Sequence, residues 1–475
     1  MTGGWHLLGF NEWWPRLVAP LFSIGSLILT YRLSRILWPN KENAWNLSPI
    51  LLFGSFFWCV FSTLTMFDML LAFLTLLAII NIVKATYKNL WQCFVFVGIA
   101  TGFGVLSKGP AIFLHVLPIA LTAPLWVPRL ACNEKAFEKK QWYKAVALSF
   151  TIAVAIGLAW AIPASISGGD AYRDALFWSQ SAGRMVDSFA HARPFWWYAA
   201  ALPILVLPWL LWPTLWRAGS YCNELIEDGG FRLCFIWFIS AFVIFSVISG
   251  KQLHYLLPEF PALALVGGRL LATPAITCFK YHNIDRWLLG GAALVLGGFL
   301  LLASHLPFEG RTASFLREAD SVWGILIIAV SSLYFFSHIN NPVHQAARIA
   351  AITGFSIMAI YLAAAPILTK RYDLRKLAQH ISALQSDGKA VAYFGKYHGQ
   401  FHFMGQLKNA MPSIGLVSND ISEFLNAHPN GVIIAKYKTL PRKADPLFTY
   451  RFRDYTYAAW SSAIMLANPN IGDRR

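Results

Sequence analysis

The feature that most constrains this sequence is a series of apolar runs, each long enough to cross a lipid bilayer. A helix of about 20 apolar residues spans the hydrocarbon core. The sequence contains twelve such runs, at residues 15–38, 46–64, 67–85, 90–107, 109–127, 142–164, 195–215, 230–248, 255–272, 286–304, 321–338 and 349–368. Since only helices or closed barrels satisfy the backbone in lipid, the pattern predicts an α-helical polytopic membrane protein with about twelve transmembrane helices.

Charged residues are scarce and lie between these runs. They make up 13% of the 475 residues, whereas soluble domains carry about a quarter. The formal net charge of +16 does not indicate a nucleic-acid partner, because the basic residues do not follow one helix or tail. The six cysteines lack metal-ligand spacing, and we expect neither a disulfide framework nor a cysteine-bound metal. The expected surroundings are a lipid bilayer.

Basic residues are concentrated in alternate loops, which predicts the orientation. Short cytoplasmic loops retain Lys and Arg. The basic set comprises Arg32, Arg35, Lys41, Lys84, Lys88, Arg129, Lys135, Lys139, Lys140, Lys144, Arg217, Arg232, Arg269, Lys280 and Arg286. We therefore place these loops in the cytoplasm, and Lys108, the loops 165–194, 249–255 and 305–320, and the tail on the other side.

The tail from residue 370 has a different pattern. Helical periodicity near 374–384 and 420–427 alternates with strand-like runs at 390–394, 401–404 and 431–436. We predict a transmembrane domain over 1–369 and a small, soluble α/β extracytoplasmic domain over 370–475.

Asp68 is the clearest candidate for chemistry. It lies in the sequence STLTMFDMLLAF, between two apolar runs so close together that the chain must reverse there. Ionisable groups at membrane depth are costly and are often functional. We interpret Asp68 as a substrate or metal ligand at the external mouth of a helix pair; the alternatives are a helix N-cap supported by Thr63 or Thr65, and an ordinary ion pair.

Lys108 lies in GVLSKGP, again at the external end of a predicted span. Its ammonium could bind a phosphate as a point charge. The alternative is a lysine that extends to the membrane interface.

The external loop 170–198 combines Arg184, His191 and Arg193 with a run of aromatic residues, Phe195 to Tyr198. Guanidinium groups bind phosphate in bidentate fashion, and aromatic rings stack on sugars or lie along a prenyl chain. An interfacial amphipathic helix followed by an aromatic belt is the alternative.

The segment SGKQLHYLLP brings Lys251, His254 and Tyr255 to another external helix end. Four separate segments therefore place one carboxylate and several cations on the same membrane face. An excess of cations suits a polyanionic substrate such as a lipid phosphate.

These segments resemble the GT-C polyprenyl-phosphate-sugar glycosyltransferases, in particular the protein O-mannosyltransferase and lipid A aminoarabinose transferase family. The resemblance rests on RLVAPLFSIGSLILTYRLSRILW, TMFDMLLAF, LSKGP, FWSQSAGRM with HARPFWWY, and SGKQLHYLLPEFPALAL, in that order. The tail adds little to it.

The resemblance implies a hexosyl- or pentosyltransferase in the bacterial inner membrane, with a periplasmic tail. Its donor would be a sugar on undecaprenyl phosphate, and its acceptor a lipid A-like glycolipid or a protein. Asp68 would be a catalytic acidic residue that positions the acceptor or a metal. The residues expected to bind the donor phosphate and head group are Lys108, Arg184, His191, Arg193, Lys251, His254 and Tyr255. No cofactor is certain, and a divalent metal ion is left open.

The sequence departs from the family pattern in two places. The family begins with a crossing helix and an external loop that carries an Asp-Glu pair, and this sequence starts inside a later apolar helix. We therefore expect an N-terminal truncation, with a misplaced start codon as its cause, and loss of the family's catalytic base. Gln180 and Ser181 stand where relatives often have Glu and His, which argues against a metal site in that loop.

Two other functions fit the same composition. A transporter or flippase of lipid-linked sugars is built from similar helices, but such proteins commonly bind near the bilayer midplane and contain two related halves. Here the polar residues lie at one edge and no internal repeat is visible. The third hypothesis is an inactive, truncated relative that binds a polyprenyl phosphate without turnover.

Overall fold

The computed structural model describes residues 2–131, 137–174, 176–177, 192–273, 282–307, 316–336, 341–415, 420–441 and 444–468. The chain divides into two compact units. The first comprises Met1–Phe299 with Trp323–Ile360, and the second comprises Leu300–Val322 with Tyr361–Arg475. The predicted domain boundary at residue 370 stays a prediction.

The membrane region consists of helices separated by short turns. They are α1 Thr2–Leu8, α2 Trp13–Leu37, α3 Glu42–Phe53, α4 Phe56–Thr63, α5 Asp68–Lys84, α6 Leu90–Lys108, α7 Ile112–Leu121, α8 Ala123–Trp126, α9 Lys139–Asp174, α10 Trp197–Leu205, α11 Pro213–Gly219, α12 Gly229–Val247, α13 Phe260–Leu271, α14 Ile284–Leu302, α15 Val322–Phe336 and α16 Pro342–Tyr372. Short 3₁₀ segments include Gly109–Ala111 and Leu253–Glu259.

Every predicted apolar run coincides with one helix or with a broken pair of helices. Six helical segments of the described chain are long and apolar enough to cross a membrane, and a seventh results if α3 and α4, bent by 59°, form one span. This confirms a multi-pass helical membrane protein. The number twelve stays a prediction, because α5, α13 and α15 are apolar but fall below 18 residues.

The chain reverses between α6 and α7, at the turn that contains Lys108. Gly109 has a φ of +70°, a conformation that glycine adopts without the steric cost of a side chain. Gly104 then packs against Ile112, so the two helices run back along each other. The turn between α4 and α5 is equally short, and Asp68 is the first residue of α5. Both sequence-predicted reversals are therefore present.

Helix α5 is the centre of the first unit. Twelve of its 17 residues are buried, on all sides of the helix. A helix that is apolar all round packs inside a bundle, and α5 contacts α2, α6, α7 and the 3₁₀ segment Leu253–Glu259. Asp68 is thus fixed at the start of a helix that is packed on all sides.

Buried ion pairs connect helices at the ends that we predict to be cytoplasmic. Arg217 Nη2 lies 2.5 Å from Asp285 Oδ2, and Asp285 is 1% exposed. Asp228 accepts a hydrogen bond from Arg269 Nε at 3.0 Å and one from Trp38 Nε1 at 2.9 Å. These contacts lie at the opposite helix ends from Asp68 and Lys108.

The second unit contains a five-stranded sheet. After α17 (Arg375–Ser386), the chain forms β1 Val391–Phe394, α18 His402–Gly405, β2 Ser413–Ile414, α19 Asp420–Ala427, β3 Val432–Tyr437, β4 Phe448–Phe452, β5 Tyr455–Ser461 and α20 Ser462–Ala467. The strand order is β2-β1-β3-β5-β4, with β1 parallel to β2 and β3, and β5 antiparallel to β3 and β4.

This sheet confirms the predicted α/β character of the tail. The predicted helices and the strands at 390–394 and 431–436 are present as α17, α19, β1 and β3. The predicted strand at 401–404 is wrong, because those residues form the turn and helix α18, which ends at Gln406 with a φ of +48°. Over four residues, alternating burial does not distinguish a strand from one helical turn.

Candidate active site at the external helix ends

Asp68 and Lys108 form an ion pair across two helix ends. Asp68 is 2% exposed, and its Oδ1 lies 2.5 Å from Lys108 Nζ. Asp68 Oδ2 is buried and has no hydrogen-bond partner among the described residues. Phe67 occupies the N-cap position of α5 and makes no side-chain cap bond, so the N-cap interpretation of Asp68 is wrong. The carboxylate lies in the first turn of α5, where the helix dipole favours a negative charge.

His254 and Tyr255 reach the same ion pair from the segment Leu253–Glu259. His254 Nε2 is 4.0 Å from Asp68 Oδ1, and the Tyr255 ring centroid is 5.9 Å from Lys108 Nζ. The His254 ring meets the Tyr255 ring edge-on, with centroids 5.0 Å apart. We call Asp68, Lys108, His254 and Tyr255 the Asp68 cluster. Three elements that are distant in sequence converge to form it.

The Lys251 side chain supports the backbone next to the cluster. It is 3% exposed, and its Nζ donates hydrogen bonds to the carbonyl oxygens of Arg193, at 3.0 Å, and Ile248, at 2.5 Å. Burial lowers the pKa of Lys251 below its ordinary value of 10.5. These contacts join the external loop to the end of α12. The predicted contact between Lys251 and a substrate stays a prediction.

Arg193 is exposed and lies on a short bridge between two external segments. Its backbone N–H donates to the Ser249 carbonyl at 3.2 Å, and Ala192 pairs with Gly250. The Tyr198 hydroxyl donates to the Gln252 carbonyl at 2.9 Å. The loop is therefore attached to the segment that leads to His254, and the Arg193 side chain is exposed.

Two predicted site residues, Arg184 and His191, lie outside the described residues, as do Gln180 and Ser181. The described part of the chain contains no group of three or more His, Cys, Asp or Glu side chains that could hold a metal ion.

A second polar pair near the cluster was not predicted from the sequence. His115 Nδ1 lies 2.5 Å from Glu259 Oε1, and both side chains are buried. Each is an ionisable residue inside an apolar run, IFLHVLP and LLPEFP, which is the signal that singled out Asp68. Phe61, whose ring centroid is 5.8 Å from that of His254, gave no such signal.

The arrangement suits an anionic ligand more than a metal ion. The Lys108 ammonium has three N–H donors, of which one meets Asp68. Its side chain is 26% exposed, so the other donors can reach a ligand. Asp68 fixes the position of the ammonium, while His254 and the Tyr255 ring form a wall beside it. A phosphate placed there would bind a preoriented cation.

Comparison with known proteins shows which families this chain is similar to. Residues 1–160 match the family model described as Dolichyl-phosphate-mannose-protein mannosyltransferase. An undecaprenyl phosphate-α-4-amino-4-deoxy-L-arabinose arabinosyl transferase of Pectobacterium atrosepticum is 27% identical over 325 residues, which is 64% of this chain and 55% of the relative. A second enzyme of that name, from Proteus mirabilis, is 28% identical over 69% of this chain and 59% of its own length. In sequence, this chain is similar to these polyprenyl-phosphate-sugar glycosyltransferases.

The fold of this GT-C relative agrees with solved structures. The crystal structure of ArnT from Cupriavidus metallidurans bound to undecaprenyl phosphate superposes with a TM-score of 0.70 at 17% identity, covering 96% of this chain and 86% of that one. The apo structure of the same protein gives the same score over 98% of this chain. The resemblance and the GT-C fold class predicted from the sequence are confirmed. The chain spans between half and two thirds of the length of the two curated relatives.

Proposed function

We propose that this protein transfers a sugar from an undecaprenyl-phosphate carrier to a lipid A-like acceptor, at the periplasmic face of the bacterial inner membrane. The observation that carries the proposal is the Asp68–Lys108 pair, which lies with His254 and Tyr255 at helix ends that the charge bias assigns to the external side. The relatives' names supply the donor class, an aminopentose on undecaprenyl phosphate.

The reaction is a displacement at the anomeric carbon of the sugar. An oxygen of the acceptor attacks that carbon, and the bond between the carbon and the donor phosphate oxygen breaks. The phosphate leaves with the bonding electron pair as undecaprenyl phosphate. Negative charge therefore develops on the phosphate, and a fixed cation lowers the energy of that transition state.

Lys108 is the residue best placed to carry out this stabilisation. Because Asp68 holds one of its N–H groups, the ammonium is already oriented before the donor binds. The Tyr255 ring lies beside the same ammonium and restricts its movement. We assign Asp68 the orientation of Lys108 in addition to the predicted contact with the acceptor, for which its Oδ2 remains available among the described residues.

Four further residues complete the proposed donor site. The exposed Arg193 guanidinium is positioned by the bridge between Ala192 and Gly250, and it lies on the loop that is predicted to contribute Arg184 and His191. Lys251 acts through the backbone, since its ammonium holds the carbonyl of Arg193. In this proposal the loop and the Asp68 cluster both supply cations to the donor phosphate.

Mass spectrometry of envelope lipids tests the proposal. Cells that carry the intact gene should contain a lipid A-like species with a sugar adduct, and deletion should remove it. Restoration by the wild-type gene, but not by Asp68→Ala or Lys108→Ala, is the expected result. Lys84→Ala is a matched control, because Lys84 lies on the same helix as Asp68 but at its opposite end.

Two results would overturn the proposal. One is an unchanged lipid profile after deletion, and the other is full restoration by Lys108→Ala at wild-type protein levels. If deletion instead leaves the adduct absent while the carrier-linked sugar accumulates on the cytoplasmic face, the protein moves the carrier across the membrane. That outcome replaces sugar transfer by transport.

A further inference from the structure

A buried acid–imidazole pair lies close to the Asp68 cluster in the fold, and the proposed reaction gives it no role. His115 and Glu259 are 1% and 0% exposed, and their nearest atoms are 2.5 Å apart. Glu259 Oε2 is buried without a hydrogen-bond partner among the described residues. Two apolar side chains at these positions would avoid the cost of removing polar groups from water. The pair therefore requires an explanation beyond packing.

The pair joins the segment that carries His254 and Tyr255 to the helix that follows Lys108. His115 lies on α7, which follows Lys108 after the 3₁₀ turn Gly109–Ala111. Glu259 is the last residue of the 3₁₀ segment that carries His254 and Tyr255. A single hydrogen bond thus connects the helix hairpin of Lys108 to the segment of His254 and Tyr255.

An aromatic contact extends this connection to Tyr255. The His115 and Phe245 ring centroids are 5.1 Å apart, and the Phe245 and Tyr255 centroids are 5.8 Å apart. His115 and Tyr255 therefore pack on the same Phe245 side chain. A displacement of Glu259 relative to His115 would also move the Tyr255 ring.

The surrounding contacts are apolar and give little directional constraint. Ile112 and Val116 flank His115 on buried positions of α7, and Leu256 and Leu257 precede Glu259 on equally buried positions. Apolar surfaces tolerate small shifts in register, because dispersion and burial depend weakly on direction. A hydrogen bond has a preferred distance and angle. It can therefore fix a register that apolar packing leaves loose.

We propose that His115 and Glu259 are positioning residues for the glycosyl transfer inferred above: their hydrogen bond holds His254 and Tyr255 in place against Lys108 and Asp68. The expected effect on turnover rests on the proposed function. The expected effect on the position of the segment Leu253–Glu259 rests on the geometry alone. Neither side chain contacts the substrate in this proposal. The pair acts through the segment Leu253–Glu259.

Matched substitutions at Glu259 separate positioning from mere stability. Glu259→Gln keeps the volume and a group able to hydrogen-bond to His115, whereas Glu259→Met keeps the volume but not the bond. In purified full-length protein, we expect turnover per folded molecule to fall at least tenfold in Glu259→Met and by less than threefold in Glu259→Gln. If Glu259→Met does not accumulate, His115→Gln and His115→Leu provide the same comparison from the other side.

Hydrogen exchange supplies a measurement that does not need activity. With the bond broken, the backbone amides of 253–258 should exchange at least tenfold faster, while those of α14 stay within twofold of wild type. Equal turnover per folded molecule and equal exchange in Glu259→Met and Glu259→Gln would overturn the positioning role. If the wild-type protein transfers no sugar but exchange in 253–258 still responds to Glu259→Met, the proposed function fails and the positioning geometry stands.

Discussion

Removing the Asp68–Lys108 pair separates its contribution to stability from its contribution to chemistry. Two unit charges 2.5 Å apart attract by about 7 kcal/mol at an effective dielectric constant of about 20. Desolvation of the buried carboxylate offsets most of that attraction, and loss of one partner from a buried pair costs about 3–5 kcal/mol. Because the Lys108 side chain is 26% exposed, water screens the pair, and we expect about 2–3 kcal/mol for Lys108→Met.

The two single variants, Lys108→Met and Asp68→Asn, and the double variant form a cycle. The double variant leaves no uncompensated charge, so we expect it to lose only about 1 kcal/mol of unfolding free energy, less than Lys108→Met alone. Turnover should behave differently. Without the oriented ammonium, turnover should fall about 100-fold or more in all three variants, which is the effect of removing one hydrogen-bond donor to the transition state.

The assay combines denaturant titration in mixed micelles with sugar transfer from a defined undecaprenyl-phosphate donor, both on the same preparations. The refuting result is a double variant whose turnover lies within tenfold of wild type. In that case the pair would serve stability alone, and the phosphate contact would have to come from other cations. A stability loss in the double variant equal to the sum of the two single losses would show that the charges are not coupled.

Three further predictions concern the framework of the site. Gly109→Ala places a side chain at a φ of +70°, so it should lower the unfolding free energy by about 1–2 kcal/mol and reduce turnover. Gly291→Ala is the control, because Gly291 has open space around it and should show neither effect. Thermal unfolding and transfer assays measure both. Burial lowers the pKa of Lys251, so the free energy of unfolding should rise with pH between that lowered pKa and the ordinary 10.5, and Lys251→Met should abolish the rise in a pH series of denaturant titrations. Arg217→Ala removes the ion-pair partner of the buried Asp285; because the Arg217 side chain is 27% exposed, the loss should be about 2–3 kcal/mol by denaturant titration, with turnover per folded molecule unchanged.

The sequence predicts where polar groups gather but not how they pair. Apolar runs and loop charges were sufficient to place Asp68, Lys108, His254 and Tyr255 at neighbouring helix ends. That Lys108 contacts Asp68 depends on the sharp turn at Gly109 and on how α5 packs against α6, which no local pattern encodes. Tertiary packing therefore determines the pairing.

For Lys251, the sequence does not indicate the hydrogen-bond partners of the side chain. From the sequence alone, a lysine at an external helix end is a candidate for a substrate phosphate. In the structure, the bridge between Ala192 and Gly250 brings the Arg193 carbonyl within reach, and the ammonium donates to backbone oxygens. The contact joins residues 58 positions apart. Spacing along the chain contains no information about such a partner.

The location of the ionisable groups also distinguishes an enzyme from a transporter. His115 and Glu259, the described pair within apolar runs, would be the natural start of a proton or ion path. However, each is at most 1% exposed, and one hydrogen bond joins them. Asp68 and Lys108 lie instead at helix ends, with the Lys108 side chain open to a ligand. The ligand-accessible pair therefore lies at helix ends, which is where the proposed function requires the lipid-linked phosphate and the acceptor to meet, and in our proposal the inner pair fixes the geometry of those helix ends.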